Sequence, residues 1–147
     1  MPKPPRVRRS AEERREEIAA AARAVALDEG LIAVTLRAVA TRVGVASGLV
    51  AHYEPSMDDL VATTFARIVA DELAEVEHLI AGEKDPVAAL RQLLHTLLDP
   101  DRGDVTLVWV QAWALGGRNA ALAETVRVQM DAWEHFIASV VTRSAPS

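Results

Sequence analysis

The chain has 147 residues, 50% of them hydrophobic and 4% aromatic, with no cysteine and a net charge of -5. Its apolar mass suffices for one ordinary domain, or a small one joined to a second, and is mostly Ala, Val and Leu, which favours packed helices over aromatic-rich strands. The lack of cysteine excludes disulfides, thiol nucleophiles and thiolate metal sites. The most apolar stretch, Val105 to Leu115, is interrupted by Thr106 and Gln111 and falls short of the roughly 20 residues a membrane span requires.

Charge is unevenly distributed. Residues 1–55 carry a net +2 and residues 56–147 a net -7, and Lys3, Arg6, Arg8 and Arg9 precede the first acid, Glu12. A basic tip on an acidic body suits a protein with one nucleic-acid-facing end, although a solvated tail would look the same. The basic start runs into Ser10-Ala-Glu-Glu rather than the apolar run of a signal peptide. The expectation is therefore a cytoplasmic protein without a membrane partner.

Pro2, Pro4 and Pro5 make residues 1–10 a disordered basic arm. Ser10 and Glu13 form a capping-box pattern, which opens a first helix from Ala11 to Glu29, stopped by Gly30. Leu31 to Val34 reads as a linker. Thr35 caps a short second helix, Leu36 to Val43, which presents Leu36, Val39, Ala40 and Val43 on one face and ends at Gly44. A third short helix runs from Ala46 or Ser47 to Tyr53, broken by Glu54-Pro55. Ser56 caps a long fourth helix, Met57 to Ala81, and Asp85-Pro86 opens a fifth that reaches Leu98. Asp104 opens a sixth through Leu115, apolar nearly all round and so expected to be buried; Asn119 caps a seventh that reaches Arg143.

The segment from Thr35 to Tyr53 is the informative one. Two short helices meet at a tight turn around Gly44, Ala40 permits a close crossing, and Val39, Val45 and Val50 can pack between them. That is a helix-turn-helix pattern, in which the first short helix braces and the second enters the major groove. With its surroundings the segment is more specific. The features are a long preceding helix, Thr35-x-Arg37, Ala40-x-x-x-Gly44-Val45, Ser47-Gly48-x-Val50, His52-Tyr53 and Ser56-x-Asp58-Asp59-Leu60. From Glu12 to Leu60 the chain resembles the TetR family of transcriptional regulators.

The resemblance implies an all-α protein with two parts. Residues 11–55 would form a three-helix, homeodomain-like helix-turn-helix head, and residues 56–147 a helical ligand-binding and dimerisation domain. It implies that Thr35 anchors a phosphate, that Arg37 reaches a base edge or phosphate, and that Ala46, Ser47, Gly48 and Leu49 face the groove floor. His52 and Tyr53 would face the backbone, and Arg6, Arg8 and Arg9 would reach phosphates or the minor groove. Arg42 reads better as an ordinary helix charge. The family usually has Tyr, Phe and Lys where this chain has Ala51, Glu54 and Met57, and two of those are phosphate contacts. Their loss should flatten the salt dependence of binding.

For the second part, the resemblance implies a homodimer on a palindromic operator in double-stranded DNA, and a repressor released by a small apolar or aromatic effector. Phe65, His95, Trp109, Gln111, Trp113, Met130 and Trp133 are the candidate pocket residues, and Leu122, Val126, Trp133, Ile137 and Val140 the candidate dimerisation stripe. Seven helices are fewer than the nine or more usual in the family, so the body reads as C-terminally shortened. No cofactor is expected, and an enzyme is disfavoured. His52, His78, His95 and His135 are scattered, and Glu72, Glu75 and His78 give a single Glu-x-x-His pattern on the fourth helix, without the second such motif that a di-metal bundle needs. The rival reading is a helical ligand-binding or protein-interaction module whose head has lost DNA binding.

Overall fold

A computed structural model describes Met1 and residues 9–145. Seven α-helices run through the described residues: α1 (Ala11–Glu29), α2 (Leu36–Val43), α3 (Ser47–Tyr53), α4 (Met57–Ala81), α5 (Pro86–Leu97), α6 (Gly103–Gly116) and α7 (Ala120–Ser144). Two 3-10 turns, Leu31–Ala33 and Pro100–Arg102, interrupt the connections.

Local chemistry sets most boundaries. Ser10 Oγ accepts from the Glu13 amide at 3.1 Å while the Glu13 carboxylate accepts from the Ser10 amide at 2.8 Å, so both halves of the capping box form. Thr35, Ser56, Asp85 and Asn119 each accept an amide of the turn they open. Gly44 ends α2 at φ 80°, in the left-handed region; its amide donates to Ala40 O at 2.9 Å, and the Val45 amide donates to the same carbonyl at 3.0 Å.

Gly30 ends α1 at φ 96° and ψ 157°, a conformation essentially reserved for glycine. A Cβ there would lie 2.6 Å from Gln111 Oε1. The Gln111 side chain could shift, but the backbone strain would remain. Gly30→Ala is therefore expected to destabilise the chain by about 1–3 kcal/mol, read as a lower urea midpoint.

The head packs α1 on α2 and α2 on α3. Small residues make this possible: Ala21, Ala22, Ala26 and Ala40 are buried beside Ile18, Val25, Val39 and Val50. In the body, α7 packs against α4, α5 and α6, with Leu122, Val126 and Val140 turned inward. One core joins both parts, because α1 also touches α4 and α6. Asn119, 7% exposed, pins the start of α7 to α4: its Nδ2 donates to Asp58 O at 3.0 Å and its Oδ1 accepts from the Leu122 amide at 2.9 Å.

Three expectations are corrected here. Helix α6 is not buried all round: Val108 and Ala112 face the core, whereas Leu107, Val110 and Trp113 are exposed. Neighbours cover only one side of this helix, so apolar composition alone does not decide burial. The α7 stripe is not free for a partner either. Leu122, Val126, Trp133 and Val140 are buried within the chain, and only Ile137 of that set is exposed. Finally, α5 closes at Leu97, one residue early, with Leu98 in the cap position.

Candidate nucleic-acid interface

The two helices of the motif present a coherent outer face. Thr35 is exposed, with its hydroxyl oxygen accepting from the Ala38 amide at 3.2 Å, and Arg37 is exposed two residues along, with no ion pair among the described residues. Arg42 pairs with Asp28 at 2.8 Å, which fits its reading as an ordinary structural charge. Thr35, Arg37, Thr41 and Arg42 line an open trough of about 660 Å³ along the α1–α2 flank, which also includes Glu29.

At the start of α3, Ala46 and Gly48 are exposed and Ser47 and Leu49 half-buried, while Val50 locks the helix to the core. A Cβ added at Gly48 would meet nothing within 4 Å. A glycine inside a helix costs about 0.5–1 kcal/mol relative to alanine. The fold itself therefore gains nothing from the bare backbone at this tip, and what it permits is close approach by something outside the chain.

At the far end of α3, His52 is exposed and Tyr53 half-buried, their rings edge-to-face at 5.2 Å. The Arg15 guanidinium lies over the Tyr53 ring, 5.6 Å from its centre, so Tyr53 also ties α3 to α1. Glu54 turns into a cleft between α1 and α4 that it shares with Arg15 and Arg67. Met57 packs against the core. Neither therefore sets an acidic or bulky group on the α3 tip. Arg9 folds onto α1 and pairs with Glu17, which Arg14 also contacts at 2.9 Å. Arg6 and Arg8 lie outside the described residues.

The candidate pocket residues divide. Trp109, Trp113, Met130 and Trp133 line an open groove of about 670 Å³ between α6 and α7, and Val110, Ile137 and Val141 add apolar wall. Glu72 and Arg102 also line it, paired at 2.8 Å, and Trp109 Nε1 donates to Glu72 at 3.4 Å. Sequence patterning singled out Glu72 only for a metal motif; its partner, 30 residues away, carries no local signal. No group of three or more His, Asp or Glu side chains among the described residues could hold a metal.

The other three pocket candidates lie elsewhere. Phe65 is fully buried and meets Trp109 edge-on at 5.1 Å, so it backs the groove wall from the core. His95 is exposed on α5. Gln111 points to the head, where its Oε1 accepts from the Ile32 amide at 2.8 Å.

This geometry defines a class: a helix-turn-helix head whose α3 tip projects from a helical body with an apolar groove. Residues 18–69 match the family described as bacterial regulatory proteins, tetR family. The chain is similar to the HTH-type transcriptional regulator BetI of Burkholderia ambifaria (strain MC40-6), at 30% identity over 65% of this chain and 52% of the relative. The protein of the same name from Paraburkholderia phymatum is 31% identical over 63% of this chain and 49% of the relative. The chain thus spans about half the length of the curated relatives it matches.

Among solved structures, a transcriptional regulator from Rhodococcus sp. Rha1 superposes with a TM-score of 0.66 at 28% identity, covering 86% of this chain and 68% of that one. A protein from Streptomyces coelicolor A3(2), also described as of transcriptional-regulator type, gives a TM-score of 0.67 at 25% identity, covering 80% and 69%.

Proposed function

We propose that the chain is a sequence-specific DNA-binding transcriptional regulator, a repressor that acts as a cytoplasmic homodimer on a palindromic operator and leaves it when a small apolar or aromatic effector occupies the body. The observation that carries this reading is the α3 tip, where Gly48 is bare, exposed and unconstrained by the fold. Residues 11–55 serve as the reading head and residues 56–147 as the regulatory body. Helix α3 lies in the major groove with Ala46, Ser47, Gly48 and Leu49 toward the bases; Thr35 and Arg37 approach from α2, and His52 and Tyr53 meet the flanking backbone. In a dimer the two α3 tips sit about 34–36 Å apart, one turn of duplex DNA. The groove between α6 and α7, with its three tryptophans, receives the effector. No catalytic step belongs to this reading.

The rival, a module whose head no longer binds DNA, rests on Ala51, Glu54 and Met57. The inward placement of Glu54 and Met57 weakens it, since neither opposes a phosphate at the α3 tip.

Salt-titrated binding to DNA from around the protein's own gene tests the reading. The logarithm of affinity should fall with the logarithm of salt concentration, by about 0.9 for each phosphate neutralised. A slope near zero would reject DNA binding in favour of the rival. Arg37→Ala should cost about 1–3 kcal/mol of operator affinity if the guanidinium reads a base edge. An equal loss on operator and unrelated DNA would assign it to phosphate instead.

A further inference from the structure

Helix α6 stands between the groove and the head. Trp109 and Trp113 line the groove, and Gln111, two residues from each, projects from the opposite side of the helix. There its Oε1 takes the Ile32 amide at 2.8 Å, across 79 residues of sequence. Ile32 lies in the 3-10 turn that ends one residue before Val34 and two before Thr35, so this turn sets where α2 begins. The amides of Ala33 and Val34 are satisfied within the turn by Gly30 O and Leu31 O, whereas the Ile32 amide takes its partner from α6.

The contact is close. A Cβ at the buried Gly30 would fall 2.6 Å from Gln111 Oε1 and 2.7 Å from Nε2, so the side-chain amide fills the space that any other residue would occupy. A displacement of α6 toward the head presses this side chain on the turn and loads its hydrogen bond to the Ile32 amide.

We infer that Gln111 is the coupling residue through which occupancy of the α6–α7 groove repositions the head. This rests on the proposed sensing role of the groove and names the route by which it acts. An occupant that wedges α6 from α7 drives Gln111 against Gly30 and Ile32, and the turn carries Thr35 and Arg37 with it. Gln111 touches neither DNA nor the groove; it acts through the turn.

The chain's lack of cysteine makes the test direct. A single cysteine replaces Val110, or in a second protein Met130; both line the groove, one on α6 and one on α7. Each is alkylated with a pyrene maleimide, which serves as the groove occupant without a known effector. Amide resonances are recorded without DNA for chains carrying Gln111, Gln111→Ala or Gln111→Glu, after thermal melts establish that each folds. With Gln111, both adducts should move the resonances of Ile32 and of residues 35–37. Gln111→Glu, which keeps an acceptor oxygen of similar reach, should preserve the response, and Gln111→Ala should abolish it. Unmoved head resonances in the labelled Gln111 chain, or equal movement in Gln111→Ala, would overturn the inference.

DNA affinity supplies the second readout: the adduct should weaken binding about tenfold with Gln111 and less than about twofold with Gln111→Ala, a coupling within the usual allosteric range. If the unlabelled chain binds no DNA, the proposed function fails, while the resonance shifts still decide the role of Gln111.

Discussion

Gly48→Glu is expected to weaken DNA binding by about 100-fold or more while leaving the chain at least as stable as before. The two effects separate because of where Gly48 sits. A side chain there meets nothing within 4 Å, so the fold accepts it without rearrangement. Glycine is a poor helix residue, and a carboxylate in the first turn of a helix is favoured by the backbone dipole, so the melting temperature should hold or rise slightly. Against duplex DNA the same carboxylate meets a phosphate-lined groove, and like charges across an interface cost several kcal/mol. Gly48→Ala, uncharged and a methyl group larger, should give a smaller loss. The pair is read by fluorescence anisotropy with labelled duplex, alongside thermal melts. Unimpaired binding by the glutamate variant would show that the α3 tip is not what enters the groove.

Phe65→Ala carries the largest expected stability effect, about 3–5 kcal/mol. Phe65 is among the largest fully buried side chains and meets Trp109 edge-on at 5.1 Å. Its removal forfeits apolar transfer energy, leaves a cavity between α4 and α6, and strips the support from a tryptophan that lines the groove. Urea unfolding should show a lower midpoint with an unchanged slope. Tryptophan emission of the folded state should also shift, since Trp109 loses its neighbour. Phe65→Leu, which keeps most of the volume, should cost less than about 1.5 kcal/mol. A cost below about 1 kcal/mol for the alanine variant would mean that the core does not close over this ring.

On the surface of α7, the Arg127 guanidinium holds the Glu124 carboxyl below its usual value, mainly through the hydrogen bond between them. Both groups are fully exposed, and solvent screens such pairs, so stability should be insensitive to Glu124→Gln. This contrasts with Glu72, which is held between Arg102 and Trp109 at the groove.

Helix boundaries were legible because their causes are local. Ser10 with Glu13, Thr35, Ser56, Asp85 before Pro86, and Asn119 each satisfy amides within the turn they open, and Gly44 terminates α2 through its own backbone. The outer face of the head was legible for a related reason. In two short helices joined by a tight turn, placing Val39, Ala40 and Val50 inward leaves few positions for Thr35, Arg37 and Gly48.

The body was less transparent. Apolar stripes on α6 and α7 fit a packed core, a ligand groove and a partner surface equally well. Phe65, Leu122 and Val126 went to the core, Trp113 and Met130 to the groove, and Ile137 to its exposed wall.

The sequence by itself thus determined the helices, the turn chemistry of the head and its family resemblance, because each rests on residues within a few positions of one another. Only the tertiary structure decided which side of α6 faces solvent, that Glu72 meets Arg102, and that Gln111 reaches Ile32 instead of a ligand. Those contacts join residues 30 to 79 positions apart. Periodicity says which residues share a face, but what lies opposite that face depends on how all the helices pack at once.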